Sequence, residues 1–226
     1  MNNNMKKIQL FVIGLLLSSI TFGQVINLQT GVSVSKLDWQ AGILDENMFN
    51  RPLVRPTILV GLDYFDHTYF NLSSNMGIIQ KGGKGEIKLV NELGVDKGTS
   101  TITEIFNYYT FNTAIEFKYP IQKKIFPFIS IGARADVIFG NHSSFDFDKK
   151  NISVYDRDDF DKNRFNYGVN LGGGIKYHFS KLQIGLRSDY YFNFRNIADR
   201  PKKDDMGSLK IKDNTFTVNF VVGYKL

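Results

Sequence analysis

The sequence predicts an all-β protein: an eight-stranded antiparallel up-and-down transmembrane β-barrel that follows a cleaved signal peptide. Three observations lead to this prediction. The first 23 residues have the layout of a secretory leader. The remainder contains eight segments in which apolar and polar residues alternate, as in strands with two unlike faces. Short and long connections alternate between these segments, as they do in outer-membrane barrels.

The leader is predicted over residues 1–23, which leaves residues 24–226 as one barrel domain. Lys6 and Lys7 precede a mainly apolar run at 8–20, and small residues at Thr21 and Gly23 precede Gln24. A membrane-anchor helix is the alternative, but such a helix needs about 20 apolar residues. The run is shorter and ends in a site typical of cleavage, so export with removal of the leader is favoured.

The bulk composition is compatible with a membrane barrel. The mean hydropathy of −0.20 is low, but only one side of each barrel strand meets lipid. The sequence has no Cys, which excludes disulfides, thiolate metal sites and a lipid-modified Cys. The net charge of +6 is spread over loops that mix both signs, so a nucleic-acid partner is not expected.

Eight strands are predicted from the two-residue period. They lie at residues 25–35, 57–65, 68–80, 105–119, 128–139, 164–179, 182–194 and 214–226. These lengths suit a tilted membrane strand of about 9–11 residues better than an average strand of about 5–6.

Four long connections are predicted at residues 36–55, 81–100, 140–163 and 195–213, with short turns between the other strands. An even strand number puts both ends of the barrel on the short-turn rim. We therefore expect that rim in the periplasm and the long loops outside the cell.

The apolar face is predicted to point outward, towards lipid. A soluble lipocalin-like barrel would carry its apolar face inward. Glycines crowd the polar face, which suits a curved interior, and aromatic residues gather near the strand ends, as in interfacial girdles. The final segment also alternates aromatic and aliphatic residues up to Leu226. These features favour the membrane barrel.

A polar network is expected inside the barrel, because an eight-stranded barrel is just wide enough for side chains to fill. The inward positions hold charges of both signs: Asp63, Glu116, Lys118, Arg134, Asp136, Lys176, Arg187 and Asp189. Unpaired charges would be very costly to bury, so ion pairs are predicted. A structural filling is favoured over an ion path.

The chain resembles the outer-membrane β-barrel family of Bacteroidota that includes PorT-like proteins. The resemblance covers the mature chain and rests on five stretches: FGQ at 22–24, LSSNMGIIQKGG at 72–83, YTFNTAIEFKYP at 109–120, YGVNLGGGIKY at 167–177 and the ending at 216–226. It implies an outer-membrane barrel and no single activity.

Catalysis has one candidate, the group of His142, Ser143, Ser144 and Asp146 in an outer loop, since some small outer-membrane barrels modify lipids with His and Ser. Ser-rich loops are common, and we expect no enzyme activity and no catalytic residue.

Two other motifs are candidate binding sites. Four acidic residues suggest a calcium loop but lack the Gly and Glu of an EF-hand: Asp156, Asp158, Asp159 and Asp161. The Gly-rich run at 81–85 lacks the spacing of a phosphate-binding P-loop and is assigned to a loop between strands. No metal and no cofactor are predicted.

The sequence therefore favours a non-enzymatic outer-membrane barrel that acts in envelope integrity, in binding through outer loops, or in support of protein secretion. A small-solute channel is the first alternative, and a lipid-modifying enzyme is the second. Expected partners are outer-membrane lipid and lipopolysaccharide, the assembly machinery of the outer membrane, and secretion-system or envelope proteins.

Overall fold

The computed structural model describes residues 24–41, 49–90, 95–147, 150–155, 163–200 and 209–226. Residues 1–23 lie outside these ranges, so the signal peptide stays a prediction. Within the described ranges, no helix is long and apolar enough to cross a bilayer.

Ten strands follow one another along the chain. They are β1 (Val25–Ala41), β2 (Leu53–Tyr64), β3 (Phe70–Val90), β4 (Asp96–Lys118), β5 (Ile125–Phe147), β6 (Lys150–Tyr155), β7 (Phe165–Phe179), β8 (Leu182–Asn193), β9 (Ala198–Arg200) and β10 (Leu209–Lys225).

Eight of these strands form a closed barrel in the order β1-β2-β3-β4-β5-β7-β8-β10. Each pairs antiparallel with the next, and β10 pairs with β1 from Val25↔Lys225 to Ala41↔Leu209. β6 adds to β5 and β9 adds to β10 outside this ring. The predicted eight-stranded up-and-down barrel is thus confirmed. We call the end with the short turns basal and the opposite end apical.

The apolar face of the strands lies on the outside of the barrel. Ile58, Met76 and Ile129 are 56%, 60% and 68% exposed in the isolated chain, whereas the polar residues between them point inward and are buried. Glycine is needed where inner side chains crowd the wall: a Cβ on Gly172 would lie 2.1 Å from Asp189 Oδ1. Such a surface is stable in lipid and would be unfavourable in water.

The predicted extent of the long loops is wrong, because the strands continue into them at the apical end. β1 runs to Ala41, and β3 and β4 pair up to Val90↔Asp96, which leaves residues 91–95 as their connection. At the apical end, the last residue pair of the β2–β3 ladder is Thr57↔Ile79. Above that level β3, β4, β5 and β6 form a projecting sheet, which we call the apical sheet.

The physical reason is that the two faces exchange polarity at this level. Leu37, Leu209 and Ile211 point inward and are at most 6% exposed. Lys36, Lys210 and Lys212 occupy the intervening outward positions. The alternation continues without interruption, but the apolar residues now face the inside, as in a strand surrounded by water.

The inward apolar residues of this end pack into one cluster, which we call the apical cluster. Its buried members are Leu37, Phe49, Ile79, Ile102, Phe106, Tyr108, Ile138, Tyr191, Ile197, Ala198, Leu209 and Ile211. Trp39 packs against it, with its ring 5.2 Å from that of Phe49. The cluster closes the barrel interior above the polar section.

Candidate functional site: charge networks inside the barrel

The basal half of the interior is organised around Glu116, which is fully buried. Lys176 Nζ lies 2.6 Å from Glu116 Oε2, and Arg187 Nη1 donates to Glu116 Oε1. Lys176 Nζ also reaches Asp63 Oδ2 at 3.0 Å. Arg187 makes a two-pronged contact with Asp189, at 2.7 Å from Nε and 3.0 Å from Nη2. We call these five residues the basal network.

The basal network draws on four strands, namely β2, β4, β7 and β8, so it ties together distant parts of the wall. Neutral side chains complete its hydrogen bonds. Asn71 Nδ2 donates to Glu116 Oε2 at 3.1 Å, and Asn27 Nδ2 donates to Asp63 Oδ1 at 3.1 Å. The ring of Phe128 lies 5.0 Å from Lys176 Nζ and provides a cation–π contact. Such extra contacts are what a buried ion pair needs to offset the loss of hydration.

A second group of charges lies nearer the apical end. Lys81 Nζ lies 2.6 Å from Asp136 Oδ2 and 3.3 Å from Asp213 Oδ2. Arg134 Nη2 reaches the same Asp136 oxygen at 2.7 Å, and Thr110 Oγ1 donates to the other Asp136 oxygen at 2.6 Å. We call Lys81, Arg134, Asp136 and Asp213 the apical network. It holds two positive and two negative groups.

The apical network is in direct contact with the apical cluster through two tyrosine rings. Lys81 Nζ lies 4.5 Å from the ring centre of Tyr108, and the Arg134 guanidinium lies 4.4 Å from that of Tyr191. Asn193 Nδ2 donates to Asp213, while Arg134 Nη2 donates to Asn193 Oδ1. The change from charged to apolar interior therefore takes place across two tyrosine rings.

The structure places all eight predicted interior residues inside the barrel and divides them into three groups. Asp63, Glu116, Lys176, Arg187 and Asp189 form the basal network. Arg134 and Asp136 belong to the apical network. Lys118 pairs with Asp66 at the basal rim, where Lys118 Nζ also lies 5.9 Å from the Phe126 ring.

Sequence reasoning missed three members of these groups: Lys81, Asp213 and Asp66. Lys81 and Asp213 were assigned to loops, and Lys81 in particular to a Gly-rich loop at 81–85. The structure places this run in β3, with Lys81 fully buried. The two-residue period of the strands could have placed both residues inside. Lys81 lies two residues after the inward Ile79, and Asp213 lies two residues before the inward Thr215.

Two members of the candidate catalytic group, Ser143 and His142, lie on opposite faces of the wall. Ser143 points inward and its Oγ donates to Glu104 Oε2. His142 is adjacent on the same strand, β5, and neighbouring side chains of a strand point to opposite faces. In the described ranges, no three His, Cys, Asp or Glu side chains are grouped to hold a metal ion. Asp156, Asp158, Asp159 and Asp161 lie outside those ranges.

Comparison with known proteins gives a family match. The family model described as outer membrane protein beta-barrel domain matches residues 22–199. No curated protein matches the chain significantly.

Solved structures of outer-membrane proteins are similar to the chain at low identity. OprG from Pseudomonas aeruginosa is 11% identical with a TM-score of 0.46, over 91% of this chain and 97% of that chain. Ail, the attachment invasion locus protein of Yersinia pestis, is 12% identical with a TM-score of 0.40, over 91% and 100%. The outer membrane protease OmpT from Escherichia coli is 8% identical with a TM-score of 0.40, over 90% and 97%.

Proposed function

The chain belongs to the outer membrane protein beta-barrel domain family and is an outer-membrane β-barrel protein; from this premise, we propose that it acts without catalysis, as a closed membrane anchor for its apical sheet. In this role it supports envelope integrity or protein secretion through binding at the apical end. The resemblance to PorT-like proteins of Bacteroidota supports the secretion-linked version. The proposal further includes a mature chain that begins at Gln24, a periplasmic basal end and an extracellular apical end.

The observation that carries this proposal is that two different layers close the interior. A solute would first have to separate pairs such as Lys176–Glu116, whose side chains are at most 4% exposed. Separating a buried pair costs several kcal/mol. The same solute would then meet the apical cluster, where Leu37 and Tyr108 are fully buried. These obstacles favour an anchor over the small-solute channel.

The apical sheet is the part of the chain that we expect to bind a partner. β3 and β4 keep their ladder for ten further residue pairs or more beyond the last β2–β3 pair, up to Val90↔Asp96. β5 and β6 widen the sheet beside them. A paired sheet holds its side chains in fixed positions, which reduces the ordering cost when a partner binds. Regular structure of this kind suits recognition of a protein partner.

Conductance in planar bilayers tests the closed interior. We expect no resolved current steps from the wild-type barrel, since neither layer leaves a continuous aqueous path. Stable, large steps from folded wild-type protein would overturn the anchor and favour the channel. A gel mobility shift on heating shows that the sample is folded.

A shortened hairpin tests the role of the apical sheet. Residues 86–101 are replaced by Asn-Gly, which forms a two-residue turn between Gly85 and Ile102, a cross-strand pair in the structure. We expect a folded barrel that fails to restore envelope resistance or cargo export in a deletion strain. Full restoration would contradict the proposed role. A His142→Ala variant that restores the strain would argue against the lipid-modifying enzyme.

A further inference from the structure

The outer surface of the apical end is basic on one side of the barrel. Five cationic side chains lie there, on β1, on β10, just before β7 and just after β8: Lys36, Arg164, Arg195, Lys210 and Lys212. We call this set the basic rim. In the described part of the chain, none of the five forms an ion pair. Asp38 and Asp199 are the described acidic residues among them.

The pairing register makes the basic rim continuous. Lys212 lies opposite Asp38 and Lys210 lies opposite Gln40 across the β1–β10 ladder. On the other side of β10, Ile197 N donates to the carbonyl of Ile211, which brings the segment after β8 alongside Lys210 and Lys212. Arg195 Nη1 then reaches the carbonyl oxygen of Phe165, beside Arg164, at 3.5 Å. Four neighbouring segments thus contribute to one surface.

The height of the basic rim matches the edge of the lipid-facing surface. Arg164 directly precedes Phe165, and Arg195 directly follows Phe194; these rings are 47% and 65% exposed. Lys36 is the next outward residue after Val34 on β1. Aromatic rings at the end of an apolar band mark the membrane interface. The cations therefore lie at the level of lipid headgroups.

The opposite side of the barrel differs at the same height. On β3 and β4, Gln80 Nε2 donates to Asn107 Oδ1 at 2.8 Å. On β4 and β5, the rings of Tyr109 and Phe139 stack at 4.2 Å. These side chains are polar or aromatic and carry no charge. Farther along β3, the exposed Lys84 and the Arg51–Glu86 ion pair add charges of both signs, so the surplus of cations among the described residues is larger at the basic rim.

We infer that the basic rim binds the phosphate of an anionic lipid headgroup, with the acyl chains lying against the aromatic and aliphatic surface below it. Arg and Lys are the residues that recognise phosphate, Arg through its fork of N–H donors. Each cation near a charged membrane surface adds to the attraction for anionic lipid. This inference rests on the proposed membrane anchor and adds a lipid partner to it.

Lipid selectivity measured by electron spin resonance tests the inference. The mature barrel is placed in phosphatidylcholine bilayers with spin-labelled phosphatidylglycerol or spin-labelled phosphatidylcholine. We expect the wild type to hold phosphatidylglycerol preferentially. The variant Lys36→Gln/Arg164→Gln/Arg195→Gln/Lys212→Gln should lose about fivefold of that preference or more. An unchanged preference would overturn the inference.

A matched control removes the same number of cations from the basal rim, at Lys123, Lys124, Lys181 and Lys225, which are all exposed. This variant should keep the preference. An equal loss in both variants would overturn the inference, since net charge alone would then explain the selectivity. Displacement of the labelled lipid by millimolar inorganic phosphate would also overturn it, in favour of a site for the free anion.

Both variants must show the heat-dependent mobility shift of a folded barrel. A failure of the lipid site can be distinguished from a failure of the anchor role, because conductance and strain complementation do not report on lipid selectivity. A barrel that conducts ions but retains phosphatidylglycerol would contradict the anchor and leave the lipid site supported.

Discussion

The basal and apical sections of this barrel are built from the same strands but have opposite interiors. Along β10, Thr215, Thr217 and Asn219 fill the inside of the basal section, and Phe216 and Val218 face outward. A few residues earlier, Leu209 and Ile211 fill the inside of the apical section. The medium on the outside explains the difference. Lipid accepts apolar side chains, so the interior must hold the polar ones, and water reverses this requirement.

Each section is therefore stabilised by a different interaction. The basal section depends on buried ion pairs that share hydrogen bonds with neutral side chains, because apolar burial against lipid tails adds little. The apical section depends on apolar burial away from water. Substitutions of one kind should therefore have different effects in the two sections.

The largest effect is expected from Glu116→Gln in the basal section. This change removes the carboxylate between Lys176 and Arg187 and leaves two buried cations short of a partner. We expect the free energy of unfolding to fall by about 3–5 kcal/mol. Urea titration of the barrel in lipid vesicles measures it.

The matched control for that change is Glu86→Gln on the apical sheet. Glu86 pairs with Arg51 at 2.8 Å, but both side chains are well exposed, at 36% and 61%. An exposed pair contributes at most about 1 kcal/mol. Equal losses in the two variants would mean that the basal network is as hydrated as the surface.

A somewhat smaller effect is expected from Phe106→Ala in the apical cluster. Phe106 is 1% exposed, and its removal leaves a cavity that should cost about 3 kcal/mol in the free energy of unfolding. The comparison residue is Phe111 on the same strand, which is 46% exposed on the lipid-facing surface. Phe111→Ala should cost much less, because lipid fills the space. A similar cost at both sites in vesicles would contradict the contrast between the sections.

The smallest effect on stability is expected at two adjacent glycines of β7, Gly172 and Gly173. A Cβ at Gly172 would lie 2.1 Å from Asp189 Oδ1 inside the basal section, whereas at Gly173 its nearest neighbour would be Phe128 O at 3.1 Å. We expect Gly172→Ala to cost about 1–3 kcal/mol through overpacking, and Gly173→Ala to cost less, because its nearest neighbour is 1.0 Å farther away. Thermal unfolding of the two variants, followed by gel mobility, gives the order. The reverse order would mean that the inner wall has spare room.

The barrel could be predicted from the sequence because, throughout its basal section, the apolar residues of each strand stay on the same, outward face. From Phe216 to Val222, every second residue is apolar and faces outward, and seven further segments follow the same rule. Strand number, order and the faces at lipid depth follow from that regularity. The inward charges on these segments were found for the same reason.

The apical section escaped prediction because the period persists while the faces exchange character. On β1, Val34 is apolar and faces outward, whereas Lys36 in the next outward position is charged and Leu37 points inward. A search for one apolar face reads this exchange as the end of a strand. Lys81 and Asp213 were not predicted to point inward, because the strand ends that contain them were assigned to loops. Their pairing depends on the barrel register, which a single strand does not encode.

The β1–β10 ladder has a consequence for the order of folding. Val25 pairs with Lys225 and Ala41 with Leu209, so one of the longest seams of the barrel joins the two described strands that are farthest apart in the chain. Until β10 arrives, β1 presents a long row of unpaired backbone groups, which is a template for wrong association. Such distant contacts also form slowly. Covering the free edge of β1 until the barrel closes would thus favour the closed barrel over aggregation.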